Sequence, residues 1–252
     1  MNFKRLHQKE IPLLISNVWD VASAKAAENL GFEAIGTSSG AIATMLGYED
    51  GEEISFIELK YIIERIVKSV DIPISVDLEA GYGSSSKEIA RNILEISDLG
   101  VVGINIEDSA VVNGHRSLIS DIDFSGLLKR ITSELKSTRR EIFVNVRTDT
   151  YLMNIDNALQ ETLIRAKQYE KAGVDGLFVP CIEKQVDIER VVKGIGLPLN
   201  VMCMPNLPNF RILKDLGVSR ISMGNFVFNR MKVELKNILY EITSNQSFAS
   251  LF

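Results

Sequence analysis

The chain has 252 residues, 46% of them hydrophobic and 24% charged, with a formal net charge of −5. This supports a large core and excludes a disordered chain, and an acidic surface repels phosphate backbones, so no nucleic-acid partner is expected. No apolar run approaches the roughly 20 residues of a membrane helix, and MNFKRLHQKEIPLLIS has too short an apolar run, after polar Gln8, Lys9 and Glu10, for a signal sequence; a cytoplasmic protein with no membrane partner is expected.

The first predicted strand is IPLLIS (11–16), followed by helical periodicity at 20–30. FEAIGTS (32–38) precedes a helix at 55–69, IPISVDL (72–78) one at 87–99, and VVGINIE (101–107) one at 121–138. IFVNVR (142–147) precedes 156–172, GLFVP (176–180) precedes 184–194, LPLNVM (197–202) precedes 208–216, and SRISMG (219–224) precedes 226–244. Several of these strands barely alternate in polarity, as strands buried on both faces do. Eight strand–helix units predict an α/β fold, a closed parallel (β/α)8 TIM barrel, as a single domain over 1–252. An open doubly wound sheet is the rival, but it would more often show a second domain or a clear break.

A weak repeat supports the barrel. Gly31, Gly100, Gly173 and Gly217 each follow a helix and lead into an even-numbered strand, while Pro12, Pro73 and Pro198 open odd-numbered ones. Cys181 and Cys203 form no CxxC or zinc spacing and are expected as packed core thiols.

A barrel's site lies at the C-terminal ends of its strands. There the first strand offers Asn17, Trp19 and Asp20, and the second Thr37, Ser38, Ser39 and Gly40, with Asp50 in the loop beyond. The third offers Asp77 and Glu79, the fourth Glu107 and Asp108, and the fifth Arg147 and Asp149. The sixth and seventh offer little beyond Cys181 and Asn200, and the eighth gives Gly224 and Asn225. Residues i and i+2 of a strand share a face, so Asp77 and Glu79 are expected to enter the mouth together, with Glu107 beside them. Three carboxylates in a partly dry mouth repel one another, and a divalent cation removes the conflict. All-oxygen ligands suit Mg²⁺ or Mn²⁺ rather than zinc. The bland alternative is that these acids pair with rim cations or cap helices. AGYGSSS lacks the third glycine of a nucleotide fingerprint, and strand seven ends MCMPNLPNF without the glycines of a phosphate site. His115, in VNGHRSL, is a candidate acid–base group, though a lone loop histidine is usually solvated.

In this order, TSSGAIATMLGYEDG, VDLEAGYG, INIEDS and VNVRTD resemble the isocitrate lyase/phosphoenolpyruvate mutase superfamily over roughly residues 13 to 225. The resemblance implies a (β/α)8 barrel, a Mg²⁺ cofactor, and a small-molecule carboxylate substrate that is or yields a 2-oxo acid. It implies Asp77 as the direct metal ligand, with Glu79 and Glu107 holding the metal through water. Thr37, Ser38 and Ser39 match the turn that binds the substrate carboxylate, Asp50 the acid of the gating loop, and Arg147 the arginine that neutralises substrate charge. The chain departs from the pattern where Glu79 replaces a frequent Asp and where Glu49-Asp50 replaces Pro-Asp. Asn113 stands at the position of the lyase cysteine and is, with His115, a candidate catalytic residue; the lysine loop of the mutase branch is absent. The implied activity is a Mg-dependent carbon–carbon lyase or decarboxylase acting on a small 2-hydroxy or 2-oxo di- or tricarboxylate through an enolate. The alternatives are a phosphonomutase-like enzyme (carboxyvinyl-carboxyphosphonate phosphorylmutase or phosphonopyruvate hydrolase type) and a barrel that binds a 2-oxo acid without turnover. The resemblance also implies a homo-oligomer, a dimer or tetramer, whose subunits exchange the helix at 226–244.

Overall fold

The strands in chain order are β1 (Leu13–Val18), β2 (Ile35–Thr37), β3 (Ile74–Asp77), β4 (Gly103–Glu107), β5 (Ser109–Val112), β6 (His115–Leu118), β7 (Phe143–Arg147), β8 (Gly176–Val179), β9 (Leu199–Met202) and β10 (Arg220–Ser222). In this computed structural model, which describes residues 3–112, 114–138 and 140–252, eight of them close a parallel barrel in the order β1-β10-β9-β8-β7-β4-β3-β2. β4 and β8 are buried at every position, which accounts for their unbroken apolar character.

The helices are α1 (Phe3–Leu6), α2 (Val21–Asn29), α3 (Ser39–Leu46), α4 (Phe56–Val67), α5 (Ser86–Asp98), α6 (Asp121–Ser137), α7 (Ala158–Lys171), α8 (Gln185–Gly194), α9 (Phe210–Asp215) and α10 (Phe226–Asn245). α4 shows how the sequence sets the outer layer. Ser55 and Glu58 form a reciprocal capping box, and Leu59, Ile63 and Ile66 turn one stripe onto the sheet. Among the described residues no helix is long and apolar enough to cross a membrane.

Three elements lie outside the predicted pattern: α1, α3 and the antiparallel hairpin β5–β6. α3 begins directly at the end of β2, where Ser38 caps it by accepting from the Ala41 N–H. It is an eight-residue helix inserted before α4. The hairpin occupies the segment after β4 and pairs Val111 with Arg116. Cys181 and Cys203 are half-buried beyond the ends of β8 and β9 rather than packed in the core.

The barrel interior is graded. At its N-terminal end Phe3 and Leu6 of α1 pack with Leu13, Ile15 and Phe143, and the His7 ring stacks on Phe143 at 4.0 Å. The middle is polar. Asn145 on β7 donates to Asn105 on β4 at 2.9 Å and to Asn200 on β9 at 3.2 Å, tying together strands that do not all neighbour one another. Gly176 on β8 makes room for this bridge: a Cβ there would lie 2.7 Å from Asn145 Oδ1. Arg220 on β10 is 1% exposed, with Nε and Nη1 lacking hydrogen-bond partners. Burial lowers its pKa to about 10 against the pull of Asp77.

Candidate active site

A cavity of about 450 Å³ opens at the C-terminal end of the barrel, as the fold requires. Ser38, Ser39, Asp50, Asp77, Arg116 and Arg147 supply much of its polar lining. Asp77 is the last residue of β3; its N–H donates to Thr37 Oγ1 at 2.9 Å, and its Oδ2 accepts from Ser39 Oγ at 2.9 Å. Ser39 Oγ also lies 3.4 Å from Asp50 Oδ1. Thr37 therefore serves by fixing β3 against β2, while Ser38 and Ser39 bring the first turn of α3 to the cavity wall. Free N–H groups at a helix start suit a carboxylate. Asn17 holds the floor together: its Oδ1 accepts from Met223 and Gly224, and its Nδ2 donates to the Thr37 carbonyl.

The cationic wall is a compact network. Arg147 donates through Nε to Asp149 Oδ1 at 2.6 Å, and its Nη1 lies 3.0 Å from Glu107 Oε2. Arg116, delivered by β6, binds Glu107 Oε1 and Asp149 Oδ2. Ser109 Oγ donates to Asp149 at 2.6 Å. Burial works against the Arg147 charge, yet Glu107, Asp149 and Asp77 together push its pKa up. Burial likewise pushes Glu107 up, to about 7, while Arg147 and Arg116 draw it down. Asp77 is raised by burial and held back by Arg147 and Ser39.

Not every predicted residue reaches the mouth as strand alternation implies. β3 ends at Asp77, and Glu79 sits in a left-handed turn at φ 48°, so the i, i+2 rule does not carry to it. Both Glu79 oxygens are engaged: Oε1 accepts from Tyr82 OH at 2.6 Å and Oε2 from the Glu52 N–H at 2.8 Å. Burial raises its pKa to about 8, with the Tyr82 hydroxyl opposing. Glu52 answers by accepting from the Tyr82 N–H at 2.8 Å, so the loop bearing Asp50 is clasped to the β3 turn. Asp108 points away from the mouth, into a buried set with Thr148, Arg165 and Tyr169. His115 is exposed on β6, and Asn113 lies outside the described residues. Arg116 is the residue that sequence reasoning passed over. Its signal was the alternation of HRSL, whose second and fourth residues turn inward.

The donor set fits a magnesium-sized ion with few protein ligands. Asp77 lines the cavity, and Glu107 Oε2 is buried without a well-formed hydrogen bond although Arg147 is close. Among the described residues no three His, Cys, Asp or Glu side chains converge as a ready cage. Asp77 is the residue placed to touch such an ion; Glu107 and Glu79 stand behind it.

Known proteins carry the same architecture. Residues 3–243 match the phosphoenolpyruvate phosphomutase family model. The uncharacterised protein Rv1998c of Mycobacterium tuberculosis is 32% identical over 229 residues, 91% of this chain and 84% of that one. The probable 2-methylisocitrate lyase 2 of Corynebacterium glutamicum is 27% identical over 79% of this chain and 66% of its own length. An oxaloacetate decarboxylase of Paraburkholderia xenovorans is also 27% identical, over 78% and 67%. A crystal structure from Burkholderia cenocepacia J2315, provisionally named a phosphonomutase, superposes with a TM-score of 0.88 at 32% identity, covering 94% of this chain and 97% of that one. With its eight-stranded barrel and these relatives, the chain belongs to the phosphoenolpyruvate mutase/isocitrate lyase superfamily of lyases and mutases.

Proposed function

We propose that the protein is a Mg²⁺-dependent carbon–carbon lyase or decarboxylase acting on a small 2-oxo or 2-hydroxy acid through an enolate. The observation that carries this reading is the pairing of Asp77, open to the cavity, with the Arg147–Arg116 wall across from it. A divalent ion, were it held at Asp77, would supply Lewis-acid polarisation of the substrate.

The chain's own residues do the rest. The start of α3 at Ser38 and Ser39 orients the substrate carboxylate. With a 2-oxo substrate, the bond from the carbon beside the carbonyl to the departing carboxylate breaks, carbon dioxide leaves, and the electron pair moves toward the 2-oxygen to give the enolate. Arg147, already fixed by Glu107 and Asp149, is a preorganised positive group facing that charge, and such groups are commonly worth about 3–4 kcal/mol each. The clasp between Glu79 and Glu52 holds the Asp50 loop beside the cavity. Support also comes from the decarboxylase and lyase names among the relatives.

The test is Mn²⁺ or Mg²⁺ titration together with turnover of oxaloacetate, 2-methylisocitrate and phosphonopyruvate. Asp77→Asn should weaken metal binding by more than the roughly 10–100-fold that a residue acting through water costs, and should abolish turnover. Unchanged metal affinity in this variant would sink the assignment. Consumption of phosphonopyruvate in place of the others would replace the lyase reading with the mutase or hydrolase one.

A further inference from the structure

The cavity is two-sided. Toward β1–β4 it presents Asn17, Ser39, Asp50, Asp77 and Asn105. Toward β7–β9 it presents Leu152, Met153, Phe178, Pro180 and Met202. Phe178 and Met202 come from the strands themselves, Pro180 follows β8, and Leu152 and Met153 sit in the turn after β7. Met202 is seated against Gly224, where a Cβ would fall 2.6 Å from its sulfur, so the backbone there helps place the thioether. β10 and the residues just after it add Ser222, Gly224 and Asn225, all uncharged. Among the described residues no Lys, Arg or His lines the β7–β9 side beyond Arg147 at its edge.

The charges point the same way. Of the charged residues that line the cavity, Arg116 and Arg147 are matched by Glu107 and Asp149, and the other two, Asp50 and Asp77, are acidic; Arg220, which acts on Asp77, is buried outside that lining. A divalent ion offsets the two acids. Among the described residues, no further cation lines the cavity to hold a third carboxylate, and a carboxylate set against the apolar side would be desolvated without a partner.

We propose that the substrate carries an uncharged, apolar end opposite its 2-oxo or 2-hydroxy carboxylate head. This rests on the 2-oxo acid reading above and narrows it away from tricarboxylates. The apolar end lies on Phe178, Met202 and Leu152, and each buried methylene there tightens binding by about fourfold.

Calorimetric titration of the full chain with Mg²⁺ tests this through matched 2-oxo acids. Pyruvate sets the head alone. 2-Oxoglutarate and 5-methyl-2-oxohexanoate share head and shape and differ in having a carboxylate or an isopropyl group at the far end. The apolar acid should bind at least about tenfold tighter than 2-oxoglutarate. Met202→Arg should shrink or invert that ratio. Leu152→Arg, at a position already 40% exposed and tolerant of change, should do the same if the first variant fails to fold. Equal or tighter binding of 2-oxoglutarate by the unaltered protein would overturn the apolar-end assignment and leave the 2-oxo acid reading standing. A ratio unmoved in folded variants would also overturn it. Failure of every acid, pyruvate included, to bind would instead remove the underlying reading.

Discussion

Arg116 and Arg147 share the same two carboxylates, and this shapes what each substitution does. Arg116→Gln leaves Glu107 Oε1 and Asp149 Oδ2 with weaker partners inside a mostly buried cluster. The expected result is a loss of roughly 2–3 kcal/mol of transition-state stabilisation, about 30–160-fold in kcat. Arg116→Lys should recover only part of it, because a single ammonium cannot reproduce the guanidinium fork; steady-state kinetics of both variants checks this. Glu79 makes a different prediction. Its carboxyl is raised from 4.5 to about 8, so the folded state binds the proton more tightly than the unfolded one. The stabilisation is complete below the unfolded pKa and is lost as pH rises through the folded one. In metal-free protein the melting temperature should therefore fall between about pH 5 and pH 8, a change of roughly 3–5 kcal/mol. Glu79→Gln should flatten that slope. At this scale the sequence was legible where a residue ends a strand: Asp77, Glu107 and Arg147 are the last residues of β3, β4 and β7, as the strand-end reading has them. It failed for Glu79, where a left-handed turn breaks the period, and for Asp108, whose partners Arg165 and Tyr169 lie on a distant helix.

Among elements, the eight barrel strands were readable because burial on both faces writes itself as short unbroken apolar runs. The hairpin β5–β6 was not readable. Its residues alternate weakly and its role depends on reaching back over the barrel. α3 was hidden for another reason: it starts within the polar TSSG turn, which reads as loop. Their functional weight is high, since one brings Arg116 and the other Ser38 and Ser39 to the cavity. The strand β8 carries a sharper test of interior packing. Gly176→Ala would place a methyl 2.7 Å from Asn145 Oδ1 and 3.0 Å from the Phe143 ring. Overpacking of this kind costs about 1–3 kcal/mol, and the asparagine bridge would have to give way. Denaturant unfolding should show the loss; an unchanged midpoint would mean that the interior is looser than its contacts indicate.

For the whole molecule, length and periodicity gave the closed barrel, and the strand-end rule gave the location of the cavity. α10 carries an exposed apolar face. Phe228 anchors it beside Trp19, with ring centroids 5.0 Å apart. Val227, Met231, Leu235 and Leu239 recur every fourth residue along an exposed face, Leu235 being 54% exposed. An apolar stripe of this length on a free helix is a surface that water disfavours. The protein is expected to sediment as a dimer or tetramer. The double substitution of Leu235→Glu with Leu239→Glu should shift it to smaller species in analytical ultracentrifugation while the barrel stays folded. A monomeric unaltered protein would count against subunit association through this helix.

The register of β5–β6 acts as a dial on the cavity. Val111 faces Arg116, and side chains along a strand alternate faces with each step. One residue inserted at the Gly114 turn, with the slip carried down β6, would set His115 where the guanidinium now stands. Charge preference at the mouth could thus be reset from a surface ribbon, with all eight staves of the barrel left in place.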